Sequence, residues 1–243
     1  MKNPGFGPFN FLARLGLKIL VRLLRSADFK AAQNPDVIIA NSTFIQQQIK
    51  KYYEREAVVV HPPVDIDRFA AAGKSQDDSD RFGFVIVGRQ VPAKHIDLAI
   101  LACNQARQKL TVVGYGPQNA HLKEIAGPNI VFLDKPSDEQ VEKAVAGASA
   151  FIFPCMDDFG IAPVEALAAG TPVIALQAGG ALDYVIPGKT GEFFNAQDVN
   201  TLAQAILAFE AHKYSHRDIQ TAAQRFAKHE FAKNFAKIVN ETV

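Results

Sequence analysis

The chain has 243 residues, 48% hydrophobic and 21% charged, long enough for one large α/β domain or two small ones. A net charge of +1 gives nucleic-acid binding no support. Two cysteines, Cys103 and Cys155, lie far apart without a metal-ligand spacing, which argues against a disulfide framework and fits a reducing cytoplasm.

Phe9 to Leu24 is apolar but interrupted by Arg14, Lys18 and Arg22, which share one helix face with Arg25. Such interruptions fit neither a transmembrane span nor a signal peptide. Two roles stay open: a helix packed on a domain, or a basic helix on an anionic membrane surface. Val37–Ala40 then reads as a strand, and Thr43–Tyr53 as a helix capped by Asn41 or Ser42. Ala57–Val60 reads as a second strand. His61-Pro62-Pro63-Val64-Asp65 must be extended, because each proline pushes its predecessor out of the helical region. Ala70–Arg81, with Gly73 and three aspartates, reads as a polar linker.

A regular alternation follows. Strands at 83–87, 110–113, 130–133, 150–154 and 172–176 precede helices at 96–108, 118–126, 138–146, 161–169 and 181–185. Glu192–Phe194 is a last strand before helix 199–209, and 218–239 is a terminal helix. Continuous apolar strands alternating with helices imply a doubly wound, Rossmann-like parallel sheet over about 82–212.

Four loops at the carboxyl ends of these strands carry chemistry. Gly88 allows close backbone approach, and Arg89 and Lys94 put two cations on one rim, where they suit phosphate oxygens. Gly114-Tyr115-Gly116-Pro117 is a tight turn that reads as structural. Cys155-Met156-Asp157-Asp158-Phe159-Gly160-Ile161 runs from a strand end into a helix start, where free amides attract anions. Asp157 and Glu165 lie eight apart and can accept hydrogen bonds from hydroxyls. Glu165 equally suits a simple charge interaction with the helix N-terminus. Asp158 reads as the helix cap, and Gly179-Gly180 as a turn or anion nest. Cys155 has no His or Asn partner that would make it a nucleophile. His61, His95 and His121 lack metal spacing, and His95 alone is kept as a substrate neighbour. No Gly-x-Gly-x-x-Gly follows the first strand of the repeat, which argues against a nicotinamide-dependent enzyme.

The landmarks Ile39-Ala40-Asn41-Ser42, His61-Pro62-Pro63-Val64-Asp65, Gly88-Arg89 with Lys94, Gly114-Tyr115-Gly116-Pro117, Asp158-Phe159-Gly160-Ile161 with Glu165-Ala166, and Gly179-Gly180 occur in one order. Together they resemble the family 4 glycosyltransferases of two-domain GT-B fold, over about Pro35–Phe231, and most of all mannosyltransferase-like members. The resemblance implies a retaining transfer of a hexose, mannose first, from a GDP- or UDP-hexose to a polysaccharide or lipid-linked acceptor. It implies no metal or other cofactor. Arg89 and Lys94 match the pair that neutralises the diphosphate. Glu165 matches the acid that accepts from ribose, and Asp157 falls where an acid meets the donor sugar. Phe159, Gly160 and Ile161 match backbone contacts to sugar and phosphates. Asp134 and Lys135 match the region bordering the base.

Two departures stand out. Asp157 replaces the family's Glu, withdrawing the carboxylate by one methylene. Only about 70 residues precede the linker, so 1–70 is expected to be the end of an acceptor-side domain, with 71–81 as linker, 82–212 as donor-binding domain and 213–243 crossing back. The expectation is a fragment, split gene or degenerate copy, cytoplasmic, with apolar faces around Leu12, Leu15 and Ile19 left exposed. That exposure implies self-association or low solubility unless a separate N-terminal domain or a membrane covers the faces. The alternative function is a donor-binding module that holds nucleotide sugar without transferring it alone.

Overall fold

The computed structural model describes residues 10–74 and 80–242, and the side chains of 10–13, 15, 16 and 19 lie outside that description. Six strands form one all-parallel sheet: β3 (Phe84–Val87), β4 (Leu110–Val113), β5 (Ile130–Leu133), β6 (Ala150–Phe153), β7 (Val173–Leu176) and β8 (Gly191–Phe194). Their order is β5-β4-β3-β6-β7-β8, as expected for a doubly wound sheet. All four residues of β6 and of β7 are buried, because crossover helices cover both faces. One apolar layer contains Phe151, Val173 and Leu167; the opposite layer contains Ile152, Ile174, Leu110 and Leu202. Each such side chain contributes about 1.5–3 kcal/mol by leaving water.

The chain runs outward from β3 to β5, then returns to lay β6 on the other side of β3. That reversal opens a crevice at the carboxyl ends of β3 and β6, between the loop that ends in α4 (Ile96–Ala106) and the loop that ends in α7 (Ile161–Ala168). Helices α5 (Asn119–Ile125), α6 (Asp138–Ala146) and α8 (Val199–Ala208) complete the alternation. Ser137 opens α6 with a reciprocal capping box to Gln140.

The segment before the large sheet holds a second, two-stranded parallel sheet, β1 (Ile39–Ala40) with β2 (Val58–Val59), around α2 (Thr43–Tyr53). Ser42 caps α2 by accepting from Ile45 N–H at 3.1 Å, so Asn41 is left with another role.

Four expectations need correction. Residues 70–74 are not polar linker but the end of α3 (Ile66–Lys74), because Ile66 and Phe69 are buried in the core of the large sheet. Gly73 lies so close to α7 that an added Cβ would meet Ala169 O at 2.2 Å. The terminal helix is broken into α9 (His216–Ala223), a 3-10 turn at Gln224–Phe226 and α10 (Lys228–Thr242). The chain bends there because Ala227 bridges to Val64, whose N–H donates to Phe226 O at 2.9 Å. The short helix after β7 is a 3-10 turn, Gly179–Asp183.

The fourth concerns α1 (Asn10–Ala31), which is helical as expected but does not pack its described length on a domain. Leu17, Leu20, Leu23 and Leu24 are each more than half exposed. Its carboxyl end is tied down by Tyr53 Oη donating to Asp28 at 2.8 Å and by Gln33 donating to Tyr53 O at 2.9 Å. Leu12, Leu15 and Ile19, on which the exposure argument began, lie outside the described side chains. No described helix is long and apolar enough to cross a membrane.

Candidate functional site

The crevice at the β3/β6 switch point holds a cavity of about 400 Å³. Gly88 and Lys94 line it from the loop after β3. Asp157, Asp158, Phe159, Gly160 and Ile161 line it from the loop after β6 and the start of α7. Asn41 and Pro62 close it from the segment before the large sheet.

The β6–α7 loop is held from beneath. Gly160 enters α7 at φ +90°, and a Cβ there would stand 2.7 Å from Tyr184 Oη and 2.8 Å from Phe153 Cζ. Gly160 therefore occupies the N-cap position, and no side chain caps α7. Asp158 does not cap the helix, contrary to expectation; its N–H donates to Asp157 Oδ1 at 3.2 Å. Ile161 and Ala162 line the cavity and carry the N–H groups that a helix start leaves without an intrahelical partner, with the positive end of the helix dipole behind them; Pro163, next in the turn, has no N–H to offer.

Gly179-Gly180 is no anion nest. A Cβ on Gly180 would meet Phe159 Cα at 2.4 Å, and Gly180 N–H donates to Asp157 O at 2.9 Å. The pair is a backbone buttress that fixes where Asp157 and Phe159 point. Gly114 and Gly116 are structural, as read: Gly114, at φ +117°, packs on Gly88 O and Gly116 on Gln90. Gln90, buried and not singled out beforehand, donates to Gly114 O at 2.8 Å and accepts from Asn119 at 2.9 Å. It ties the first loop to the second.

The sequence-selected residues divide into two groups. Gly88, Lys94, Asp157, Phe159, Gly160 and Ile161 come together in the cavity. Lys94 Nζ forms an ion pair with Asp157 Oδ2, both side chains about one third exposed. Burial opposes the lysine's charge, but the hydrogen bond and charge of Asp157 outweigh it and raise the ammonium's pKa above the ordinary lysine value.

Arg89, Asp134, Lys135 and Glu165 are not among the cavity-lining residues. Arg89 is exposed and follows the lining residue Gly88 in the chain. Asp134 pairs with Lys123 and accepts from Asn119 at 2.7 Å; the Lys123 hydrogen bond holds its carboxyl below the usual range. Lys135 stands over the Tyr115 ring at 5.0 Å. Glu165 is half-buried near Arg68, Asp65 and Asp138. Burial raises its pKa; Arg68 opposes the rise, and Asp65 and Asp138 add to it.

Asn41 is the lining residue that sequence reasoning gave another role. Its buried Oδ1 has no hydrogen-bond partner among the described residues. The segment carrying Asn41 is latched to the large sheet by Asp183, whose side chain is 4% exposed. Asp183 accepts from Thr43 N–H at 2.8 Å and bonds His61 Nε2 at 3.0 Å. Burial works against ionisation of Asp183, but the hydrogen bonds from His61 and Thr43 win and hold its pKa below the ordinary value. The His61 ring also lies tilted against Phe159, centroids 5.6 Å apart, so the latch touches the cavity loop. His95 is half-buried at the start of α4 and does not line the cavity. Cys155 is buried and its thiol is pushed up to about 11 by burial, consistent with an inert side chain.

Known proteins share this architecture. The family described as glycosyl transferases group 1 matches residues 67–226. A GDP-mannose-dependent alpha-(1-6)-phosphatidylinositol monomannoside mannosyltransferase of Mycolicibacterium smegmatis is 28% identical over 214 residues, covering 77% of this chain and 56% of the relative. A D-inositol 3-phosphate glycosyltransferase of Streptomyces avermitilis is 29% identical over 204 residues, 72% of this chain and 44% of its own. Among solved structures, a sucrose-phosphate synthase from Thermosynechococcus elongatus superposes with a TM-score of 0.75 at 22% identity, over 89% of this chain and 61% of that one. Anabaena HepE, solved with UDP and glucose, gives a TM-score of 0.68 at 20% identity, over 86% of this chain and 64% of that one. This chain thus spans about half the length of the curated relatives it matches. With the family match covering about two thirds of its residues, the chain belongs to the glycosyl transferases group 1 family.

Proposed function

We propose that this chain carries the donor site of a retaining, metal-independent hexosyltransferase, with mannose the favoured sugar and a saccharide or lipid-linked acceptor. The observation that carries the reading is the meeting of Lys94, Asp157 and the uncapped N-terminus of α7 in one cavity. Helix amides and a lysine suit a diphosphate, and a carboxylate beside them suits a sugar hydroxyl. The names of the mycobacterial relatives favour GDP-mannose.

In this reading the diphosphate lies on the first-turn amides of α7, with Lys94 beside it and Arg89 swinging in from the rim. The bond between the anomeric carbon and the diphosphate oxygen breaks, and its electron pair stays on the diphosphate. Fixed donors and cations stabilise that charge as it develops, and no metal is required of them. The acceptor oxygen bonds the anomeric carbon on the same face and gives up its proton, for which the departing dianion is the nearest base. Asn41 and Pro62 form the wall from which the acceptor would approach.

The test is a transfer assay with GDP-mannose and UDP-glucose, lipid and oligosaccharide acceptors, and EDTA present. Release of nucleoside diphosphate with an α-linked product, unchanged by EDTA, is expected. An inverted product or loss of activity in EDTA would sink the retaining or metal-independent part. Donor binding with no transfer to any acceptor would leave the donor-binding module as the function.

A further inference from the structure

Lys94 and Asp157 are each suited to a different part of a sugar nucleotide, yet they are bonded to each other. Asp157 is also held on its other oxygen by the Asp158 N–H, and its backbone carbonyl accepts from Gly180 N–H. The carboxylate is thus held on both oxygens and its backbone is anchored as well, and Lys94 is the partner that a ligand can draw away. Arg89, in contrast, has no side-chain hydrogen bond or ion pair among the described residues.

We propose that the Lys94–Asp157 ion pair couples sugar binding to diphosphate binding, so that the site discriminates a sugar nucleotide from the bare nucleoside diphosphate left after transfer. The inference rests on the donor-site reading above. A bare diphosphate must compete with Asp157 for the lysine. A sugar hydroxyl donating to Asp157 gives the carboxylate another partner and releases Lys94 to the phosphates. Once the sugar has gone, Asp157 takes the lysine back and weakens the hold on the leaving product.

The experiment is calorimetric titration of the full chain with GDP and GDP-mannose, and with UDP and UDP-glucose, for wild type, Asp157→Asn, Lys94→Met and the double variant. Asp157→Asn should bind the bare diphosphate about fivefold tighter, the scale of a partly exposed ion pair. The preference for the sugar form should shrink. In the Lys94→Met background the same change should give no tightening, which separates the pair from a general loss of negative charge. Asp158→Asn removes an equal charge from the same cavity while leaving the Lys94–Asp157 bond in place and should give the smaller gain. Unchanged or weaker diphosphate binding in Asp157→Asn, with wild type binding normally, overturns the coupling and leaves the donor site standing. So does an equal gain with and without Lys94. Failure of wild type and all variants to bind any nucleotide overturns the donor site itself, and the coupling with it.

Discussion

Gly180→Ala is the perturbation that separates a buttress from an anion nest. An alanine Cβ at 180 would stand 2.4 Å from Phe159 Cα, where ordinary contact begins at 3.4 Å, a deficit of about 1 Å. Phe159 O and Asp158 O would also be met at 2.6 and 2.7 Å. All three atoms are backbone, so no rotamer change relieves the overlap. The β6–α7 loop must move away from the 3-10 turn, loosening the buried contacts of Phe159 with Tyr184 and Phe226. Overpacking of this kind costs about 2 kcal/mol, which in a chain of this size lowers Tm by roughly 4–8 °C. Nucleotide binding should fall with it, because the same loop aims Asp157. Gly188→Ala is the control: φ is +72° there but nothing lies within 4 Å. It should cost about 1 kcal/mol of backbone strain and leave binding intact. Urea denaturation and nucleotide titration on both variants read the two effects separately. Wild-type stability in Gly180→Ala, or lost stability with untouched binding, would refute the reasoning.

Other outcomes follow from the same structure. Asp183→Ala should lose about 2–3 kcal/mol at neutral pH, since it strips a hydrogen-bonded, buried carboxylate from the latch. Because its folded pKa is lowered, the wild-type advantage should be present above the ordinary value of 3.8 and vanish as pH falls through the lower folded pKa, read by unfolding as a function of pH. Glu165 has the opposite sign. Its raised pKa means ionisation is penalised in the fold, so Glu165→Gln should be neutral or stabilising at pH 7. If it also serves ribose, binding weakens even as stability holds, and equal losses in both would contradict that separation. Cys103 and Cys155, pushed up to about 12 and about 11, should react with a disulfide reagent at pH 8 only after unfolding. The exposed leucines of α1 predict self-association of this chain, reversed by Leu20→Glu with Leu24→Glu; a monomeric wild type at high concentration in sedimentation would oppose it.

The large sheet was legible because its strands read as unbroken apolar runs, fully buried at the centre in β6 and β7; Leu110–Val113 and the edge strand Ile130–Leu133 match residue for residue. Ends set by non-local contact were not. The break at Ala227 exists because Val64, far away in sequence, bridges to it, and residues 70–74 stay helical because Phe69 and Gly73 meet the core and α7. In the site, spacing located Asp157 and Glu165 but not their directions. Asp157 turns to Lys94, 63 residues away, and Glu165 is half-buried outside the cavity lining, in the field of Arg68. Asp158 failed as a cap because a glycine in a left-handed conformation takes that position. Asn41 was visible only as a capping candidate, since its place on the cavity wall depends on how the first segment docks through His61 and Asp183.

The most direct test of a donor site at the β3/β6 switch point is calorimetric titration of the chain with GDP, UDP and ADP, with and without magnesium, beside Arg89→Ala and Lys94→Ala. Binding of one diphosphate, unchanged by magnesium and measurably weakened in both variants, is the predicted result. Binding that needs magnesium, binding that ignores both substitutions, or no binding of any of the three nucleotides would contradict it.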